Sequence, residues 1–210
     1  MEPWNKLPKK VVLVTGASSG LGREFCLDLA KAGCLIIAAA RRVDKLNSLC
    51  DEINQTNELS STIKAVFVEL DVTSNENKIV EAVQKAWDAF GRIDVLINNA
   101  GVRGSVSSVI DISKEEWNQT MKTNLDGPWL VAKNVMAHMI KARIAGSIIN
   151  ISSNAGLNRV IVPGAVSYVN SKSALHTLTK KIVIIGYVSG NVFIVDSGYT
   201  LPGFPLSSSL

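Results

Sequence analysis

"VVLVTGASSGLG", Val11 to Gly22, decides the fold. Four apolar residues and a threonine run straight into three glycines, Gly16, Gly20 and Gly22, and a helical pattern begins near Leu21. A run that is apolar on both faces reads as a strand buried on both sides, and the glycines give the tight turn that feeds a helix. Outward from this stretch the same alternation repeats. Strands are expected at 11–15, 34–40 (CLIIAAA), 63–70 (IKAVFVEL), 95–99 (VLINN), 147–152 (SIINIS) and 191–196 (NVFIVD). Helical patterns lie between them, near 20–32, 42–54, 75–90, 114–142 and 165–180. Buried strands separated by helices imply an α/β fold, a three-layer doubly wound parallel sheet with helices on both faces. The polar stretch 55–62 (QTNELSST) is expected to be a surface connection.

The chain has 210 residues, 47% hydrophobic and 19% charged, which suits one globular domain over 1–210 with an N-terminal arm (1–10) and a C-terminal tail (197–210). The net charge of +4 is spread out, apart from a small cluster at Lys6, Lys9 and Lys10, so no basic stripe for nucleic acid is present. No apolar run reaches the roughly 18 residues of a membrane span, and "MEPWNKLPKK" has no apolar signal region. Three cysteines, Cys26, Cys34 and Cys50, make an odd number without CxxC spacing, which argues against a disulfide framework or a zinc site. Cys26 and Cys34 fall on apolar patterns and are expected in the core. Neither His138 nor His176 has a metal-ligand partner at useful spacing. A cytoplasmic location is expected. The terminal "SSSL" gives a peroxisomal alternative, though it lacks the basic residue of Ser-Lys-Leu.

Backbone N–H groups in a glycine-rich turn at the start of a helix suit a pyrophosphate. Gly16 permits the tight turn, Gly20 the close approach of phosphate, and Gly22 close helix–strand packing. The spacing is G-x-x-x-G-x-G; it is neither G-x-G-x-x-G nor a Walker loop. An acidic residue at the end of the second strand would bind a ribose 2′-hydroxyl. Here that strand ends "AAARR", and guanidinium groups of Arg41 and Arg42 pair bidentately with phosphate. NADP(H) is therefore the preferred cofactor, with NAD(H) possible; the plain alternative is two solvated arginines at a helix start. Asp71, in "ELDV", either hydrogen-bonds the adenine amino group or caps the next helix.

Tyr168 and Lys172 lie in "SYVNSKSAL", four residues apart and hence on one helix face. A phenol is a weak base at neutral pH until a nearby ammonium stabilises its phenolate. With "TGASSGLG", "NNAG" at 98–101, Asn124 in "KTNLDG", "NISS" at 150–153 and "YVNSK", the chain from Val11 to about Lys181 resembles the short-chain dehydrogenase/reductase family, nearest in flavour to its 3-oxoacyl reductase-like members. The resemblance implies hydride transfer between a nicotinamide and a small-molecule carbonyl or alcohol. It implies Tyr168 as acid/base and Ser153, in preference to Ser152, as hydrogen-bond donor to the substrate oxygen. Lys172 would assist the tyrosine and bind the nicotinamide ribose, and Asn124 would hold a water linking Lys172 to solvent. Gly16, Ser18, Ser19, Gly20, Leu21, Gly22, Arg41, Arg42, Asp71, Val72, Asn98, Ala100, Gly101, Tyr168 and Lys172 would contact the cofactor. Homo-oligomers are a further possibility.

After Lys181 the chain departs from the family pattern. A strand resembling "IRVNAIAPG", a mobile segment over the substrate and a further helix are expected there; instead "IVIIGYVSGN" leads directly into "VFIVDSG". The sequence reads as a join, which leaves the sheet one strand short. Strand 191–196 is then expected beside the fifth strand, and residues 182–185 as a helix end that goes extended near Ile184. The lack of a closing segment motivates a second reading, a non-catalytic dinucleotide- or partner-binding form.

Overall fold

Val11 and Leu13 face one side of β1 (Val11–Thr15), Val12 and Val14 the other, and all four are buried. The strand must therefore be covered on both faces. The structure is a computed structural model that describes residues 7, 9–55, 63–157, 164–181, 191 and 193. Beside β1 lie β2 (Leu35–Ala40) and then β3 (Ala65–Glu69); on its other side lie β4 (Val95–Asn98) and β5 (Ser147–Asn150). Every pairing is parallel, with Leu13 in register with Ile37 and with Leu96.

One core cluster joins Val11, Leu13, Ile37 and Leu96 to Ile79 and Val83 of α3 (Glu76–Phe90) and to Val131, Val135 and Met139 of α5 (Gly127–Lys141). A second joins Val12, Val14, Ile36 and Ile97 to Cys26 of α1 (Gly20–Lys31) and to Leu46, Leu49 and Cys50 of α2 (Val43–Gln55). These are the two helical layers of the expected α/β sandwich. Each fully buried Leu or Ile contributes roughly 1.5–3 kcal/mol. Burial, helped by their mutual proximity, pushes the Cys26 thiol up to about 12, so it stays a neutral apolar filler; burial does the same to Cys50, also to about 12. At the lower end of the sheet, Asp94 is 4% exposed and ties β1 to β4 by accepting from the Val11 N–H (2.9 Å) and Arg92 Nη2 (2.6 Å).

The helix expected over 114–142 is not uninterrupted. It consists of α4 (Lys114–Met121), a π-helical turn (Lys122–Asp126) and α5. Pro128 explains the break, because it has no N–H for the Asn124 carbonyl four residues back and its ring crowds that carbonyl. Gly127 is needed beside it, since a Cβ there would lie 2.8 Å from the Val72 carbonyl oxygen. The fifth strand ends at Asn150, two residues earlier than expected. Of strand 191–196, only Asn191 and Phe193 are among the described residues, and neither is in a strand. Residues 182–185 and most of the 55–62 connection lie outside the described residues. No helix among the described residues is long and apolar enough to cross a membrane.

Because β2 and β4 flank β1 on opposite sides, the sheet order reverses between β1 and β4. A crevice opens there, at the carboxyl ends of the strands. The turn after β1 and the segment after β4 both arrive at it.

Candidate active site

Thr15 closes β1 and fixes this crevice. Its Oγ1 accepts from the backbone N–H of Asn99 (3.0 Å) and of Ala100 (3.1 Å), and Asn99 Nδ2 donates back to the Thr15 carbonyl at 3.0 Å. The glycine turn is thereby latched to the NNAG segment. Gly16 has φ +67°, and a Cβ on it would lie 2.8 Å from Ala100 Cα. A Cβ on Gly22 would meet the Asn99 amide and lie 2.5 Å from the Gly16 carbonyl oxygen. At Gly20, φ +56°, a Cβ would meet nothing within 4 Å. Two glycines are thus demanded by packing, and the third faces open space.

The helix that follows starts without a cap. Ser19 occupies the N-cap position of α1 but makes no side-chain cap bond, whereas Asn75 caps α3 and Ser113 caps α4. Arg42 engages the two serines instead, with Nη2 at 2.9 Å from Ser18 Oγ and 2.6 Å from Ser19 Oγ. Arg41 is exposed beside it, and Leu21, 63% exposed, stands on the first turn of α1. Free N–H groups at a helix start, an open glycine and two guanidiniums form a cradle of the right chemistry for phosphate.

One of the two readings of Asp71 needs correction. Asp71 does not cap α3; the cap is Asn75, which accepts from the Lys78 N–H at 3.0 Å. Asp71 Oδ1 instead accepts from the N–H (2.9 Å) and hydroxyl (2.8 Å) of Thr73, because a carboxylate four residues before the cap reaches its own turn first. Val72, 7% exposed, is a core residue. Asn98, 2% exposed, spends its amide on the Pro128 carbonyl (3.2 Å) and Asn150 Oδ1 (2.9 Å), under the sheet end. Any cofactor contact by Val72 or Asn98 is left to their backbone, while Asn99, Ala100 and Gly101 lie nearer the surface.

On the other side of the crevice, α6 (Val166–Lys181) carries Tyr168 and Lys172 one turn apart. Lys172 is 5% exposed; its Nζ donates to the Ile151 carbonyl at 2.8 Å and lies 5.8 Å from the Tyr168 ring centroid. Burial lowers its ammonium pKa to about 8. The π turn delivers Asn124, fully buried, whose Nδ2 donates to the Val102 carbonyl (2.8 Å) and Ser171 Oγ (3.0 Å) and whose Oδ1 accepts from the Val102 N–H (2.8 Å). Ser171 Oγ donates in turn to the Tyr168 carbonyl at 2.7 Å. Gly101 closes the group: a Cβ there would lie 3.3 Å from Asn124 Oδ1 and 3.6 Å from Lys172 Nζ. Ser152 Oγ donates to the Lys172 carbonyl (3.2 Å), and Ser153 Oγ accepts from the Ala155 N–H (3.2 Å), opening the 3-10 turn Asn154–Leu157. The loop 101–113 is anchored by the Ser105 N–H to Glu116 Oε1 (2.7 Å) and by the Ser107 N–H to the Gly164 carbonyl (2.9 Å).

Sequence reading missed Thr15 and Ser171. The only sequence signal for Thr15 is a hydroxyl residue directly before Gly16; for Ser171, a hydroxyl residue inside the Tyr/Lys motif.

The comparisons with known proteins bear on the fold and the family. The short chain dehydrogenase family model matches residues 10–184. The 3-oxoacyl-acyl-carrier-protein reductase of Thermotoga maritima is 35% identical over 175 residues, covering 83% of this chain and 67% of that protein. Among solved structures, an NAD+-bound xylitol dehydrogenase superposes with a TM-score of 0.76 at 31% identity, covering 83% of this chain and 64% of that one. An alcohol dehydrogenase of Thermococcus sibiricus complexed with 5-hydroxy-NADP gives 0.74 at 28%, covering 82% and 69%. The chain spans about two thirds of the length of the relatives it matches. It belongs to the short chain dehydrogenase family.

Proposed function

We propose that the protein is an NADP(H)-dependent oxidoreductase that moves a hydride between the nicotinamide and a carbonyl or alcohol carbon of a small ketone, alcohol or 3-oxoacyl group. The observation that carries this reading is the buried Lys172 ammonium held beside Tyr168 where Gly101 and Asn124 converge. A buried cation that meets no carboxylate among the described salt bridges is costly unless it serves a site.

The residues fit a dinucleotide. The uncapped start of α1 with Gly20 open in front of it would take the pyrophosphate, and Arg41 and Arg42, with Ser18, a 2′-phosphate. Asp71 would hydrogen-bond the adenine, and Ala100 and Gly101 would lie along the ribose and nicotinamide. When bound, the nicotinamide supplies or accepts the hydride. In the reducing direction Tyr168 gives its hydroxyl proton to the substrate oxygen; in the oxidising direction it takes the proton back. Lys172 stabilises the negative charge left on the phenolic oxygen. Ser153 donates to the substrate oxygen as charge develops there. Ser153 is preferred to Ser152 because Ser152 gives its hydroxyl to the Lys172 carbonyl at 3.2 Å, whereas the Ser153 hydroxyl donates only to Asn154 Oδ1 at the longer distance of 3.4 Å. Asn124 would hold a water through its main-chain carbonyl, because its side chain is committed to Val102 and Ser171 and Pro128 offers that carbonyl no N–H.

The test is a thermal-shift titration with NADPH and with NADH, followed by carbonyl-dependent NADPH oxidation by wild type and Tyr168→Phe. At one hundred times Kd a ligand adds about 2.7 kcal/mol of stability. A larger shift with NADPH and loss of turnover in Tyr168→Phe are expected. Unchanged turnover in that variant overturns the mechanism. A shift without any turnover would favour the binding-only reading.

A further inference from the structure

Ser113 and Glu116 open α4 as an S-x-x-E pair, the spacing of a capping box. Half of the box is made: Ser113 Oγ accepts from the Glu116 N–H at 3.0 Å. In the other half the glutamate would return to the Ser113 N–H. Its carboxylate goes to Ser105 instead. Oε1 accepts from the Ser105 N–H at 2.7 Å, and the Ser105 hydroxyl stands 2.8 Å from each carboxylate oxygen. The side chain that could close its own helix start thus holds a residue 11 positions back.

The stretch it holds is the one that leaves the Lys172 site. Asn124 fixes Val102 through both backbone groups, at 2.8 Å each. Further along, the Ser107 N–H donates at 2.9 Å to the carbonyl of Gly164, just before α6. Between these two ties Gly104, φ +73°, lies against α4 and α6. A Cβ there would stand 2.8 Å from Glu116 Oε1, 3.3 Å from Thr120 Oγ1 and 3.6 Å from Ser167 Oγ, and Ser167 is the residue before Tyr168. Residues 102–107 therefore border the Tyr/Lys pair from Asn124 to the start of α6. Arg103, Gly104, Ser105 and Val106 are all exposed, so burial does not fix this run. The Glu116 carboxylate supplies the hold at its middle, through bonds of the charge-assisted kind.

We propose that Glu116 is a positioning residue that tethers residues 104–106 at Ser105 and so fixes the rim past which substrate reaches Tyr168. Its effect on turnover rests on the hydride-transfer reading above; the tether itself does not.

The test compares Glu116→Leu, which removes both acceptor oxygens, with Glu116→Gln, whose amide oxygen can still accept from the Ser105 N–H. Glu115→Leu is the control: it removes the neighbouring charge from the same helix turn and leaves Glu116 in place. The readouts are amide hydrogen exchange at Ser105, NADPH oxidation with ethyl acetoacetate as the carbonyl probe, and the NADPH Kd from thermal shifts. Glu116→Leu should exchange about tenfold faster at Ser105 and raise the KM for ethyl acetoacetate about fivefold, with the NADPH Kd within about twofold of wild type. Glu116→Gln should recover most of both changes, and Glu115→Leu should match wild type. Wild-type exchange in Glu116→Leu, equal exchange in the Leu and Gln variants, or the same loosening in Glu115→Leu overturns the tether. Faster exchange with unchanged kcat and KM overturns the positioning role. If wild type turns over no carbonyl substrate, the proposed activity fails, and the exchange comparison still decides the tether.

Discussion

Replacing Lys172 by methionine is expected to raise stability at pH 7 while abolishing turnover. Lys172 is 5% exposed, and burial brings its pKa from 10.5 to about 8. At about 1.4 kcal/mol per pKa unit, holding the ammonium in this site costs on the order of 3 kcal/mol. Methionine fills most of the stem volume without charge, but it leaves the Ile151 carbonyl without the donor it has at 2.8 Å. That loss costs about 1–2 kcal/mol, so the net gain is about 1–2 kcal/mol, or roughly 2–8 °C in Tm. The sign with pH follows from a base whose folded pKa is depressed. The wild type carries no penalty above 10.5, where the amine is neutral in both states, and acquires it as pH falls through the interval down to about 8. The advantage of Lys172→Met should therefore be full at pH 7 and shrink between pH 8 and 10.5. Urea unfolding of both proteins at pH 7 and 9.5 measures this. A variant less stable than wild type at pH 7, or an advantage that does not change with pH, refutes the reasoning.

Thr15→Val should cost about 2 kcal/mol, because it strands the half-buried N–H groups of Asn99 and Ala100, whereas Thr15→Ser keeps the acceptor and should cost less than about 1 kcal/mol; equal urea midpoints would remove the latch. Asp94→Asn should cost about 2–3 kcal/mol at pH 7. Burial pushes the Asp94 pKa up, but bonds from Arg92 and the Val11 N–H and the charges of Arg92 and Lys10 outweigh it, leaving the carboxyl below 3.8. Its contribution is thus present above pH 3.8 and lost as pH falls through the lower folded value, so the gap to Asp94→Asn should close below that point in acid titrations of stability; a constant gap contradicts this. Arg41→Asp should weaken NADPH binding by about tenfold or more relative to NADH in the same thermal-shift assay, and equal effects would remove the 2′-phosphate role.

The strands were legible because the runs of β1, β2 and β4 are apolar in a way only a covered strand tolerates, as at Val11–Val14, whereas β3 leaves Phe67 and Glu69 exposed. The glycine turn was legible because the residue type is dictated by backbone: no side chain fits where Gly16 meets Ala100 or Gly22 meets Gly16. What escaped depends on contacts between distant segments. Thr15 looks like any β-branched residue closing a strand, and its partners are 84 and 85 residues away. The interruption at 122–126 was written in Pro128, but the apolar periodicity runs through it and hides the break. Asn98 and Asn99 are neighbours of the same type. Alternation at the end of β4 sends one amide under the sheet and leaves the other facing the glycine turn, a difference that only register decides.

The two halves of the site rest on unequal support. The glycine turn grows from β1, whose five residues are all buried between two clusters. The Tyr/Lys half hangs on β5, which has no buried residue, and Ile149 on it is 45% exposed. Lys172 bonds the carbonyl of Ile151, directly after this strand, and Asn150 Nδ2 bonds Thr179 Oγ1 of α6 at 2.9 Å. Local opening free energies follow buried apolar contact, so β5 and α6 open before β1 and α1 do. Perturbations at β5 or α6 should therefore remove turnover at a dose of denaturant that still leaves nucleotide binding. The buried ammonium adds to the inequality, since its desolvation cost falls on the weaker half. Among the described residues, the nucleotide-side half of the site is accordingly the better protected, and the Tyr/Lys half the one most exposed to any change at β5.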